Sequence, residues 1–551
     1  MKKIISILLT LTMVLCITAS IPLSASAATT GKVQSGLTYT DEYGKWTYEL
    51  TDSGNGYKIT GYDKSMTEIE IPSEINGMPV VEICGSDTYI VGRSSLTNVI
   101  IPDSVTTIGN HAFGGCTKLI SVTIPDSVTA IGDFAFNYCS SLTSITISDS
   151  VTTIGTGVFA YCSGLTQIDV SSNNPNYTTI NGILFNKTQS ELVSYPAGKL
   201  ATSYTISDNI NTISSSAFSG CINLKKIIIP DSVNFIGYNA FSGCSSLNNV
   251  TIPNSVAIIG KNTFVNCSSL TNVILSEGVT TIGDSAFQNT GLTSITIPDS
   301  VTSIGSYSFR KCASLSGITI PNGVTSIGSY AFYECSNLTK ITFSNSLTSI
   351  GSSAFGYCSK LTSIIIPDGV TTIGRSVFSN CSALTSVTLP NSVTSIGESA
   401  FHKCSSLTDI TIPNGVYIIN KYMFWECKNL TSVIIPNSVK AIDYRAFYAC
   451  SKLNDVYYIG SEKEWNRIYI GDDNYEIEAK ATIHFNPLQP KAGDVNLDGE
   501  VSIIDVISVL KYIIGSIDLT DEQLANADLN NDGEFSVIDA ILIQKMILEM
   551  V

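Results

Sequence analysis

Apolar residues recur along most of this chain with a period of 23, and within each period they fall into two short alternating groups. The unit that starts at Cys312 reads C-A-S-L-S-G-I-T-I-P-N-G-V-T-S-I-G-S-Y-A-F-Y-E, and Cys335 opens the next. Its L-x-x-I-x-I portion alternates in the manner of a short strand with one buried face. Pro-Asn-Gly, or Pro-Asp-Ser in other units, then makes a turn, because Pro fixes φ and Asp or Asn bonds the local backbone. Val-x-x-Ile-Gly adds a second extended piece, and Ala-Phe supplies a small and a large core residue. One unit cannot bury its own apolar side, so neighbours must stack into a continuous core. Fifteen such strands begin between Leu96 and Leu453, and a divergent sixteenth reads Met66-x-x-Ile69-x-Ile71-Pro72. One unit is a residue short, where Thr290 replaces the cysteine. The stretch 171–199 breaks the period and reads as an insertion, a strand pair projecting from the stack.

The pattern divides the chain. Residues 1–27 form a charged, then apolar, then Ala-Ser-Ala sequence, the layout of a cleaved signal peptide. Residues 28–92 predict an N-terminal β cap with the divergent first repeat, 93–455 the repeat solenoid and 456–486 a C-terminal cap. Caps are needed because an open terminal coil would expose core and unpaired strand edge. A linker, 487–492, leads to a last domain, 493–551.

That last domain contains one motif twice, 34 residues apart: Asp494-V-N-L-D-G-E-V-S-I-I-Asp505 and Asp528-L-N-N-D-G-E-F-S-V-I-Asp539. Each has the spacing of a calcium loop, with oxygen ligands at positions 1, 3 and 5, a turn glycine at 6 and a backbone carbonyl at 7. The candidate ligands are Asp494, Asn496, Asp498, Glu500, Ser502 and Asp505, then Asp528, Asn530, Asp532, Glu534, Ser536 and Asp539. Ser502 and Ser536 would act through water. Hard oxygen donors on a flexible loop select Ca²⁺, here two ions, over transition metals. Apolar helices over 503–514 and 537–548 follow the loops, with a short linking helix over 521–526.

Composition narrows the function. A net charge of −16 argues against nucleic acid, whose phosphates demand a basic footprint. No later segment is long and apolar enough to insert into a membrane. The cysteines repeat singly at the repeat period, which predicts small buried core residues rather than a disulfide framework or a metal site. The recurrent acids Asp103, Asp126, Asp149, Asp231, Asp299 and Asp368 share one turn slot and face one way, whereas glycoside hydrolysis needs two opposed carboxyls. Three histidines, His111, His402 and His484, lie in distant units and suggest no nucleophilic triad. Tyr422, Trp425, Tyr444, Arg445 and Tyr448, around the last Ala-Phe slots, are the ligand-surface candidates, being residue types that carry interface energy and stack on sugars.

Residues 60–460 closely resemble the BspA-like class of bacterial leucine-rich repeats, which implies a right-handed solenoid of short parallel strands. The duplicated loop-helix unit resembles type I dockerins, small all-α calcium-binding modules that bind cohesin domains on cellulosomal scaffoldins. In that family the cohesin meets loop positions 10 and 11 and a basic residue further along the helix. These fall on Ile503, Ile504 and Lys511, and on Val537, Ile538 and Lys545, apolar where many dockerins carry hydroxyls. The resemblance implies an exported, non-catalytic binding or adhesion component, cell-surface associated through a cohesin-bearing scaffold. Its solenoid would present a surface to a protein or polysaccharide. The alternatives are an enzyme or accessory of polysaccharide catabolism, and a structural spacer.

Overall fold

The structure is a computed structural model that describes residues 39–40, 45–63, 65–84, 95–485, 492–497, 501–530 and 533–549. The proposed signal peptide lies outside the described residues. Two compact units divide near residue 200, the first also taking in 216–221.

In the first unit, Trp46–Leu50 pairs antiparallel with Tyr57–Tyr62, and Trp46, Tyr48 and Leu50 alternate inward. The hairpin from Glu74–Ile75 to Met78–Ile83 turns through Asn76 and Gly77, at φ 52° and 77°, where Gly and Asn are the residues that tolerate left-handed backbone. Met78–Ile83 then pairs in parallel with Thr107–Ile108, so the cap converts an antiparallel edge into the parallel ladder of the coils. The divergent repeat is a real rung: Glu68–Glu70 pairs in parallel with Asn98–Ile100.

Most coils contribute two short strands in parallel register with the next, as in Ser363↔Ser386 and Ser349↔Thr372. Between them the Ala-Phe segment makes tight turns in which alternate amides serve different partners. The amides of Tyr330, Phe332 and Glu334 donate to carbonyls of the following coil, at 2.8 Å each. Those of Ala331, Tyr333 and Cys335 donate back within their own turn. This alternation holds Tyr330 and Glu334 in left-handed backbone, φ 57° and 61°. Left-handed backbone costs a non-glycine residue roughly 1–2 kcal/mol, and the inter-coil bonds offset it.

The phenylalanines form a ladder. In the second unit the rings stack from Phe241 through Phe264, Phe287, Phe309, Phe332, Phe355, Phe378, Phe401 and Phe424 to Phe447, with centroids 5.1–5.8 Å apart. The last rung is closed by a side chain. Phe424 donates its amide to the carbonyl of Ala446, whereas Phe447 donates to Oδ1 of the buried Asn474, whose Nδ2 is anchored on the carbonyls of Asp443 and Gly471. The cap thus supplies one amide oxygen where a further coil would have supplied a carbonyl.

The cysteine column packs beside this ladder. Cys335, Cys358, Cys381 and Cys404 each donate a thiol hydrogen to the carbonyl of the Phe 26 residues earlier, at 3.1–3.3 Å. All the described cysteines are free thiols. Burial pushes Cys312 up to about 11 and Cys381 up to about 12, so both stay protonated at neutral pH. Because the thiolate is the nucleophile, the native protein should leave Cys312 to Cys450 unalkylated by iodoacetamide at pH 8. Mass spectrometry should find full labelling only after denaturation, and labelling of the native column would refute the packing role.

The insertion differs from the sequence expectation. It holds three strands, Tyr177–Ile180, Ile183–Asn186 and Glu191–Ser194, paired antiparallel in succession. They do not simply project: Leu184 and Leu192 are fully buried, and Leu184 belongs to the core. Tyr195 takes a phenylalanine slot, stacking on Phe218 at 5.1 Å and donating its amide to Ala217. The apolar run Ile183-Leu184-Phe185 is the reason, since leaving it outside would expose three large side chains.

Candidate functional site

The C-terminal module is built from helices Ile503–Ile513, Asp521–Ala527 and Val537–Glu549. Each long helix starts the same way. Ser502 and Asp505 form a capping box, and Ser536 and Asp539 repeat it, the serine amide donating to the aspartate Oδ2 at 2.8 and 2.9 Å. Val506 and Val509 on the first helix and Ala540 and Ile543 on the second meet with Val495 and Ala527 in a small core.

This packing leaves the opposite faces outward. Ile503 and Ile504 are 55% and 54% exposed, and Val537 and Ile538, 34 residues on, are 52% and 57% exposed. Ile507 and Ile541, one turn further, are also exposed, as are Lys511 and Lys545. All six candidate contact residues therefore lie at the surface of the two helices.

Of the candidate ion ligands, Asp498, Glu500 and Asp532 lie outside the described residues. Asp494, Asp505 and Asp539 are buried, the last two completely. Asp505 is already engaged: its Oδ1 accepts from the amides of Val495 and Asn496, and its Oδ2 from Ser502. Among the described residues, Asp539 keeps Oδ1 buried with no hydrogen-bond partner. A buried, half-satisfied carboxylate is unfavourable without a counter-charge. The donor set of carboxylate, amide and hydroxyl oxygens fits a hard cation. The first loop keeps its last carboxylate on backbone amides, a feature its sequence does not display.

The late-coil aromatics do come together. Tyr422 stacks tilted on Trp425 at 5.1 Å, His402 covers Trp425 at 5.1 Å, and the Arg445 guanidinium sits 4.8 Å from the Tyr444 ring and 5.2 Å from Tyr448. Arg445 also pairs with Asp473 of the cap at 2.8 Å. The ring faces are largely spent on one another, so the cluster closes the end of the ladder more than it offers a platform. Among the described residues, Trp425 Nε1 and His402 Nε2 are left buried with no hydrogen-bond partner. Burial lowers the His402 pKa, helped by Lys403, which leaves the ring neutral at pH 7.

Residues 87–201, 197–316, 280–407 and 372–468 match the BspA type leucine rich repeat region, more than half of the chain. The chain belongs to the BspA-type leucine-rich-repeat family. Residues 492–548 match the dockerin type I domain, and the C-terminal module of this leucine-rich-repeat chain is such a dockerin. Type I dockerins in general bind calcium and dock to cohesins in cellulosome-type assemblies, and neither module is catalytic in itself. Among solved structures, the chain is similar to a leucine rich cell surface protein from Faecalibacterium prausnitzii at 27% identity, over 79% of this chain and 98% of that one, with a TM-score of 0.38. A leucine-rich repeat protein from Bacteroides ovatus is 26% identical over 80% and 98%, with a TM-score of 0.44. One from Eubacterium ventriosum is 24% identical over 64% and 95%, at 0.38. No curated protein matches the chain. Among the described residues no helix is long and apolar enough to cross a membrane.

Proposed function

We propose that this protein is an exported, non-catalytic component of a cohesin-based assembly, held there by its dockerin while the solenoid presents a binding surface. The observation that carries the reading is the duplicated apolar face of the module. Four large aliphatic side chains at matching positions are each more than half exposed, although a module this small has few apolar groups to spare for its core. Contiguous exposed apolar surface marks interaction sites. Ile503, Ile504 and Lys511, with Val537, Ile538 and Lys545, would meet the cohesin. The two loops would hold one calcium ion each, through the twelve candidate ligands named above. The division into signal peptide, caps, solenoid, linker and dockerin belongs to the same reading.

Ile504→Asp together with Ile538→Asp should reduce cohesin affinity at least a hundredfold. Two desolvated aliphatic anchors are worth roughly 2 kcal/mol or more together, and a buried unpaired carboxylate adds to the loss. Either substitution alone should cost less, since the other helix retains its face. Calorimetric titration of the full chain checks this, and unchanged affinity in the double variant would show that the apolar face is not the contact.

A further inference from the structure

We infer that a recess on the first-strand face, at the one short repeat, binds a carboxylate-bearing polysaccharide, a chain of uronate sugars. The inference rests on reading the solenoid as a binding surface and names a place and a ligand class for it.

The recess has a cause in the sequence. Where other coils read Cys-x-x-Leu, this one reads Thr290-Gly291-Leu292. A Cβ on Gly291 would lie 2.5 Å from the carbonyl oxygen of Ser268, so only glycine passes there. The shorter coil keeps its phenylalanine rung, Phe287 to Phe309 at 5.4 Å, and its second-strand pairing, Thr281↔Ser303. The missing residue is therefore taken from the turn that leads into the first strand. Ser294 to Ile297 form no ladder with the coil before or after, and among the described residues none of their backbone groups has a hydrogen-bond partner. In the next coil Gly317 leaves the slot that Ser294 and Lys340 fill on either side. The result is a recess of about 370 Å³ bounded by Thr296, Thr319, Thr342, Gly317 and Lys340 over a floor that includes Ile295, Ile297 and Ile318, within the size range of ligand sites.

Its chemistry selects the ligand. Unpaired amides and carbonyls beside three threonine hydroxyls suit a partner rich in hydroxyls. Lys340 is exposed and makes no ion pair among the described residues. From Asn249 to Thr388 no first strand contains an Asp or Glu, in a chain of net charge −16. That face therefore favours an anion locally. Among the described residues no aromatic side chain bounds the recess, so it has neither the anchor pocket of a protein hot spot nor a platform for stacking a neutral sugar.

The test is retention of the full chain by immobilised polygalacturonate, its methyl ester, and poly-glutamate. Binding to the free acid alone is expected, weakening with salt. Lys340→Gln should weaken it roughly tenfold, the loss of one charge-assisted hydrogen bond. Gly317→Asn should abolish it by filling the recess. The fold should accept that change: the new Cβ meets only the Lys340 carbonyl oxygen, at 3.6 Å, and Asn holds the same slot at Asn249 and Asn272. Equal retention of acid and ester, equal retention of poly-glutamate, no retention, or indifference to both substitutions would each overturn the assignment. Cohesin capture by the same variants reports on docking independently. A solenoid that binds another ligand despite both changes would keep the surface reading and remove the recess from it.

Discussion

Chelating calcium should unfold the C-terminal module while the solenoid's own transition stays where it is. Among its described residues the module has six buried apolar side chains in its core and three buried aspartates, Asp494, Asp505 and Asp539. Small cores rarely supply more than about 3–5 kcal/mol, and burying carboxylate charge subtracts from that. An ion that binds only the folded loops, at a thousandfold over its dissociation constant, adds about 4 kcal/mol. Removing it therefore takes away a contribution as large as the whole expected stability. The solenoid depends on ring stacking and inter-coil backbone bonds, none of which involves an ion. Thermal melts of the full chain by far-UV circular dichroism should show the helical signal lost early in EDTA and restored by excess calcium. A melt indifferent to EDTA would mean that the loops do not hold a structural ion.

Truncating the ladder at its middle should be nearly as disruptive. Phe355 is fully buried and stacks on Phe332 at 5.4 Å and Phe378 at 5.8 Å, with Phe343 edge-on at 5.8 Å. Phe355→Ala should cost about 3–5 kcal/mol, because the rigid stack on both sides cannot collapse into the space. Solenoid stability is a sum of repeat and nearest-neighbour terms, so a weakened central interface should also uncouple the coils on either side. Urea unfolding should broaden or split as well as shift. Tyr357→Ala, two residues away but 46% exposed, should move the midpoint by less than about 1 kcal/mol. A shift below 1 kcal/mol for Phe355→Ala, with one sharp transition, would show that the ladder is not what holds the coils together.

The repeat was legible because each core position returns every 23 residues, so any single unit could be checked against its neighbours. The loop-helix module was legible for the same reason, at a spacing of 34. What escaped reading lacked that repetition. Nothing in Tyr330, Glu334 or Lys403 announces left-handed backbone, because the requirement comes from bonds to the next coil and not from the residue itself. The insertion looked external since it broke the period, yet Leu184 and Tyr195 repair the core that the break interrupts. The closing role of Asn474 could not be anticipated, one amide in a sequence with many. Tyr422, Trp425 and Arg445 were read as candidates for a ligand surface, but a one-dimensional pattern does not say that their faces would cover one another. The missing residue at Gly291 was visible from the start. Its consequence, a strand left without partners, needed the three-dimensional stack.

The most direct measurement of the central claim is titration of the full chain with a panel of cohesin domains, in calcium and again in EDTA. The account predicts tight binding to at least one cohesin in calcium and none in EDTA, with binding restored when calcium is returned. A chain that folds with calcium and binds no cohesin, or binds one equally well in EDTA, would contradict it.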